Sequence, residues 1–154
     1  MRHRFGATAL ALLAIASAAA QAKAEQPADY CRRVGNDDAP RDLPPDMAPA
    51  VAKLFELSGP EEAADAAVYR CAGGKPLACY VGANLPCAKI ATSRTNEAVS
   101  RYCRENPGGT VPAAVSGHDT LFEWRCVGKD ALAGKPLWHL DARGFAIELW
   151  KPLP

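Results

Sequence analysis

Of the three histidines in the chain, His118 sits in the stretch best suited to chemistry, Ser116-Gly117-His118-Asp119. An imidazole titrates in the range a general base needs, and with the Asp119 carboxylate it offers the ligand types of a metal site. The same residues also read as a turn leading into a strand at Thr120, with Asp119 or Thr120 bonded to local backbone. His139 and Asp141 lie two apart, so on a strand they share a face. The two pairs together have the make-up of a two-His, two-carboxylate metal site, but nothing in their spacing joins them. The motifs G-x-S-x-G and H-E-x-x-H and a phosphate-cradling glycine loop do not occur. No catalytic residue, metal site or cofactor is assigned on this reading. The residues picked out for binding are Asn84, Lys89, His118 and Asp119. Asn84 belongs to the Gly82-Ala83-Asn84 loop between Cys79 and Cys87, and Lys89 follows just beyond. Such a loop suits recognition, and it equally suits a plain turn with Asn84 in a left-handed backbone.

The six cysteines, Cys31, Cys71, Cys79, Cys87, Cys103 and Cys126, carry the other possible chemistry. No C-x-x-C or finger-like Cys/His spacing occurs, so metal and redox readings give way to disulfides. Three bridges allow 15 connectivities. Cys71 and Cys79 flank Gly73-Gly74. A three-residue loop centred on Lys75 sets them opposite each other; a two-residue Gly-Gly turn sets Cys71 against Pro76 and frees Cys79. The expected bridge is Cys87–Cys103, with the other four left open.

An oxidising destination is legible at the N-terminus. Arg2, His3 and Arg4 precede the 14-residue apolar run Ala7–Ala20, and Ala22-Lys23-Ala24 follows as an A-x-A exit. The run is shorter than the roughly 20 residues of a membrane span. Residues 1–24 thus read as a signal peptide with Glu25 the expected mature N-terminus, and no membrane span remains after cleavage. The expected location is periplasmic or secreted. The chain holds 18 basic and 17 acidic residues; losing Arg2, Arg4 and Lys23 with the signal leaves 15 and 17. That balance gives no electrostatic case for nucleic acid as a partner.

The elements that hold these residues read as an α+β fold: a small antiparallel sheet of hairpins with two short helices, stapled by disulfides. Residues 25–49, dense in Pro, Asp and Arg, are expected as a loosely ordered lead-in, and 50–154 as the compact domain. Asp46 is placed to cap a helix running to about Leu57, and a second helix is expected over about 95–106 with Cys103 facing inward. Ser58 and Glu61 have capping-box spacing, while 63–67 is featureless. Val68–Ala72, Gly73-Gly74 and Leu77–Val81 read as strand, turn and strand. Phe122, Trp124 and Cys126 alternate along a half-buried strand. Leu137–Leu140 and Phe145–Trp150 are expected as a hairpin around Asp141–Gly144, with Phe145, Ile147 and Leu149 on one face. Tyr69-Arg70-Cys71-Ala72-Gly73 is echoed by Trp124-Arg125-Cys126-Val127-Gly128, and Gly74-Lys75-Pro76-Leu77 by Gly134-Lys135-Pro136-Leu137.

The run Cys79–Lys89, the segments Gly117–Thr120 and Glu123–Cys126, and Asp141–Phe145 with Trp150 resemble an uncharacterised family of small exported proteins of alphaproteobacteria, over about residues 30–152. That resemblance implies export and disulfides and no particular activity. A fainter similarity, in the aromatic-x-Cys strand followed by a Gly turn, is to periplasmic inhibitors of c-type lysozyme; their Ser/Gly/Tyr-rich inhibitory loop has no counterpart here. Together these readings point to a non-catalytic exported binding or inhibitor module of the cell envelope, with an envelope or extracellular protein or a glycan as partner. The alternative is a small hydrolase or metal-binding enzyme centred on His118 and Asp119.

Overall fold

Pro27 opens helix α1 (Pro27–Val34), where its missing N–H costs nothing. Asp29 in the first turn and Arg32 and Arg33 in the last turn suit the helix dipole. The computed structural model describes residues 25–82 and 85–154, so the expected signal peptide and Asn84 lie outside the described residues. Gly35, with φ of 75°, ends the helix, and the chain turns into strand β1 (Asp37–Asp42). This strand pairs antiparallel with β2 (Ala67–Ala72), and Cys31, fully buried, is bonded to Cys71. Residues 25–49, expected as a loose lead-in, therefore supply a helix and a sheet edge. The polar run Asp37–Asp42 has no apolar alternation to announce a strand. It is held by the disulfide and by Asp37, which accepts from the Tyr30 hydroxyl at 2.6 Å and from Arg41 at 2.8 Å. Pro40 is tolerated because an edge strand does not need every donor.

The helix expected from Asp46 splits into a single 3-10 turn, Pro45–Met47, and α2 (Ala48–Phe55). Helix α3 (Pro60–Ala66) covers the stretch that looked featureless. Its partner for Ser58 is Glu62 rather than Glu61, accepting from both the Ser58 hydroxyl and the Ser58 backbone. Strands β2 and β3 (Lys75–Tyr80) form the expected hairpin. Gly73 and Gly74 have φ of 57° and 77°, as a two-residue turn with two left-handed positions requires, and Cys71 faces Pro76. The sheet is completed by β6 (Lys151–Pro152), in the order β1-β2-β3-β6.

Freed by that register, Cys79 bonds Cys87 eight residues on, with Cα atoms 5.9 Å apart. The expected Cys87–Cys103 bridge is therefore not made. The loop after β3 folds straight back on its own strand. Cys103 instead meets Cys126, with Cα atoms 5.2 Å apart. No cysteine is left free.

Cys103 lies on α4 (Glu97–Glu105), capped by the Asn96 side chain, which accepts from the Val99 backbone. A one-turn helix, α5 (Ala113–Ser116), leads to the second hairpin, β4 (Phe122–Val127) and β5 (Asp130–Pro136). Strand β4 buries Phe122, Trp124 and Cys126 and exposes Glu123, Arg125 and Val127, as its alternation predicts. The last expected hairpin is reduced to a bridge between Leu140 and Ala146 and a 3-10 turn, Ile147–Leu149. The Asp141 carboxylate accepts from the backbone of Arg143 and Phe145 at 2.8 and 3.0 Å. That local turn displaces ladder pairing, so Phe145 and Trp150 are buried while Ile147 is 56% exposed. The chain is thus α+β, with two small antiparallel sheets and more short helices than expected.

The aromatic-Arg-Cys part of the hairpin echo holds and extends to the helices, whereas the Gly-Lys-Pro-Leu part does not: Lys75 follows its turn directly, while Pro136 lies at the far end of β5 facing Phe122. Tyr30-Cys31-Arg32 on α1 recurs as Tyr102-Cys103-Arg104 on α4, and each cysteine bonds the last-but-one residue of a hairpin's first strand. Gly35 follows α1 and Gly108 follows α4, with φ of 75° and 74°. Each touches its hairpin turn: Gly74 N donates to Gly35 O, and Gly108 N donates to Gly128 O at 2.9 Å. A similar helix-plus-hairpin arrangement thus occurs twice, in separate sheets.

Candidate functional site

Strand β4 and α5 bring the Ser116–Thr120 turn to the side of the second hairpin. The turn forms because α5 ends at Ser116 and Gly117 takes φ of 87°. Asn96 donates its amide to Ser116 O at 3.0 Å, so the same side chain caps α4 and ties α5 to it. Thr120 bridges to Ala91, and its buried hydroxyl accepts from the Trp124 indole at 2.9 Å. Beside this frame lies a cleft of about 550 Å³, lined among others by Ser116, His118, Arg125, Lys135, Leu137 and Trp138. Apolar walls with a few convergent polar groups are the usual make-up of a ligand cleft. Lys135 pairs with Glu123 at 3.3 Å, both well exposed, an arrangement that holds neither group firmly.

Of the described residues picked out for binding, only His118 lines this cleft; Asp119 follows in the same turn, its backbone accepting from Ala91. Lys89 is elsewhere, in an ionic cluster with Asp38 and Arg143, 2.7 Å from the Asp38 carboxylate. The Arg143 guanidinium first, and the Lys89 ammonium second, hold the Asp38 carboxyl down at about 2. His139 is spent on Glu148, whose carboxylate accepts from its backbone at 2.9 Å and meets its ring at 2.7 Å. The backbone N–H of His139 is the main cause that lowers the Glu148 carboxyl below its ordinary value. Asp141 turns to Arg70 instead of joining His139. The four groups His118, Asp119, His139 and Asp141 are therefore not gathered, and among the described residues no cluster of three or more His, Cys, Asp or Glu could hold a metal.

Sequence reasoning missed Arg70. It is 1% exposed, stacked 4.0 Å from the Phe145 ring centroid and 4.8 Å from that of Trp150, and bonded to Asp141 at 2.5 Å. Burial pushes the Asp141 carboxyl up. The backbone donors of Phe145 and Arg143, with the Arg70 guanidinium, outweigh it and hold the group below its usual value. The only signal in the sequence was the repeated aromatic-Arg-Cys string. Comparison with protein-family models, with curated proteins and with solved structures finds no match for this chain.

Proposed function

We propose that this chain is a non-catalytic exported binding or inhibitor module of the cell envelope, periplasmic or secreted, which takes its ligand in the cleft beside His118. The cleft itself carries the reading: about 550 Å³, with Arg125, Lys135 and His118 set beside Leu137 and Trp138. Export is supported by the signal-like residues 1–24 and by three disulfide bridges, which form and persist in oxidising surroundings. Among the described residues no helix is long and apolar enough to cross a membrane.

The competing reading is a small hydrolase or metal enzyme centred on His118 and Asp119, favoured by the position of His118 in the cleft. A general base is normally oriented by a third group, and no side-chain hydrogen bond to His118 is found among the described residues. The test is capture from cell-envelope extract on the immobilised oxidised protein, repeated with Lys135→Glu, alongside metal analysis of the pure protein. A species retained by the wild type and lost by the variant supports a binding module. Identical capture by both, or stoichiometric metal lost on His118→Ala, overturns it.

A further inference from the structure

The two hairpins correspond residue by residue around their turns. Arg70 faces Leu77 across β2–β3, and Arg125 faces Leu132 across β4–β5. Each arginine stands three residues before its turn glycine, Gly73 or Gly128. Each is also one residue before the cysteine that bonds a helix, so the Arg–Leu pair lies on the face turned away from that helix. On the first hairpin that face is covered. The segment from Asp141 to Trp150 lays two aromatic rings over Arg70 and gives it a carboxylate, and Leu77 and Val68 pack against the cluster that those rings form with Cys79 and Cys87. On the second hairpin the equivalent face is bare. Arg125 is exposed, Leu132 is 41% exposed, and Glu123 stands where the first unit has Val68. Among the described residues Arg125 makes no salt bridge.

We infer that the bare face of the β4–β5 hairpin, with the adjoining cleft, docks a protein segment carrying a carboxylate followed within a few residues by an aromatic ring. The inference rests on the binding-module reading and names the ligand class for it. The protein already contains a worked instance of the recognition in residues 141–150 on the sister hairpin. A guanidinium prefers a planar carboxylate on one side and a ring on its face, and among the described residues Arg125 has neither. Lys135 adds positive charge at the same cleft, and Leu137 and Trp138 offer apolar surface for the ring. The replacement of Val68 by Glu123 keeps the second face soluble when empty, which suits a reversible partner where the first face has a permanent cover.

The experiment uses the intact oxidised protein, isotope-labelled for amide NMR, titrated with a synthetic peptide copying residues 139–151. Control peptides carry Asp141→Asn or Phe145→Ala. The expected result is saturable shifts at residues 123–135 with Kd below about 1 mM, weakened about tenfold or more by Arg125→Ala and by either peptide change. Arg125 is exposed, so the variant folds, and an unchanged thermal midpoint verifies it. No saturable shift at 123–135, shifts insensitive to Arg125→Ala, or shifts at 68–79 from exchange on the first hairpin would each overturn the inference. Self-association through β5 in the absence of peptide would overturn it too. A null titration together with Lys135-dependent capture from extract removes the ligand class and leaves the binding module; failure of both removes both.

Discussion

Arg70 and Asp141 meet at 2.5 Å across 71 residues of chain, the arginine wholly buried and the carboxylate a quarter exposed. A pair of this kind contributes less by its attraction than its loss costs, because the surviving charge is stranded. Asp141→Ala is expected to lower stability by about 2–4 kcal/mol. Arg70→Met in the same chain is expected to recover a large part of that loss by putting apolar volume under Phe145 and Trp150. Urea titrations with unchanged slope would show both; a double variant no better than the single one would contradict the account.

Acid should destabilise the protein through Asp38. Its folded pKa of about 2 lies below the usual 3.8, so its stabilisation is full above pH 4 and disappears as the pH falls through 2. Asp37 and Asp141 are lowered as well and act in the same direction. Because Lys89 and Arg143 are substantially exposed, the Asp38 share is discounted to about 1 kcal/mol. Comparing the midpoint at pH 6 and pH 2.5 in the wild type and in Asp38→Asn checks this. The variant should lose less on acidification.

Removing disulfides should not be equally costly. Cys31–Cys71 spans 40 residues and Cys79–Cys87 spans 8. On the loop-entropy account, replacing the first pair by alanines costs about 1.4 kcal/mol more than replacing the second. Chemical denaturation of the two double variants measures the difference, and non-reducing peptide mapping verifies the remaining bridges.

Gly35 and Gly108 hold similar places in the two helix-plus-hairpin arrangements. At neither does an added Cβ meet any atom within 4 Å, so only the positive φ resists a side chain. Gly35→Ala and Gly108→Ala should each cost about 1 kcal/mol or more, the first the more, because Gly35 with ψ of −68° lies outside the left-handed helical region. Thermal melts of the two variants check this, and either variant found neutral would contradict it.

What could be foreseen follows from how local the cause is. The alternation of Phe122, Trp124 and Cys126 and the Gly73-Gly74 turn carry their structure within a few residues, and both form as expected. Cys103 faces inward because helical spacing puts it with Val99. Strand β1 was hidden because its polar residues are held by a partner strand and a bridge 40 residues away. The 145–150 strand failed to form because the Asp141 carboxylate captures nearby backbone donors, a competition that apolar periodicity does not register. The cleft depends on α5, β4 and the 137–138 segment coming together, and of the described residues picked out for binding His118 alone lies on it.

The bridges join the first cysteine to the second, the third to the fourth and the fifth to the sixth. For a chain delivered N-terminus first into an oxidising space, the first, third and fifth thiols would each find their native mate as the next one to arrive. Oxidation in order of emergence yields the native set directly. On that route folding would call for an oxidant to remove electrons, with no enzyme to reshuffle mispaired sulfurs.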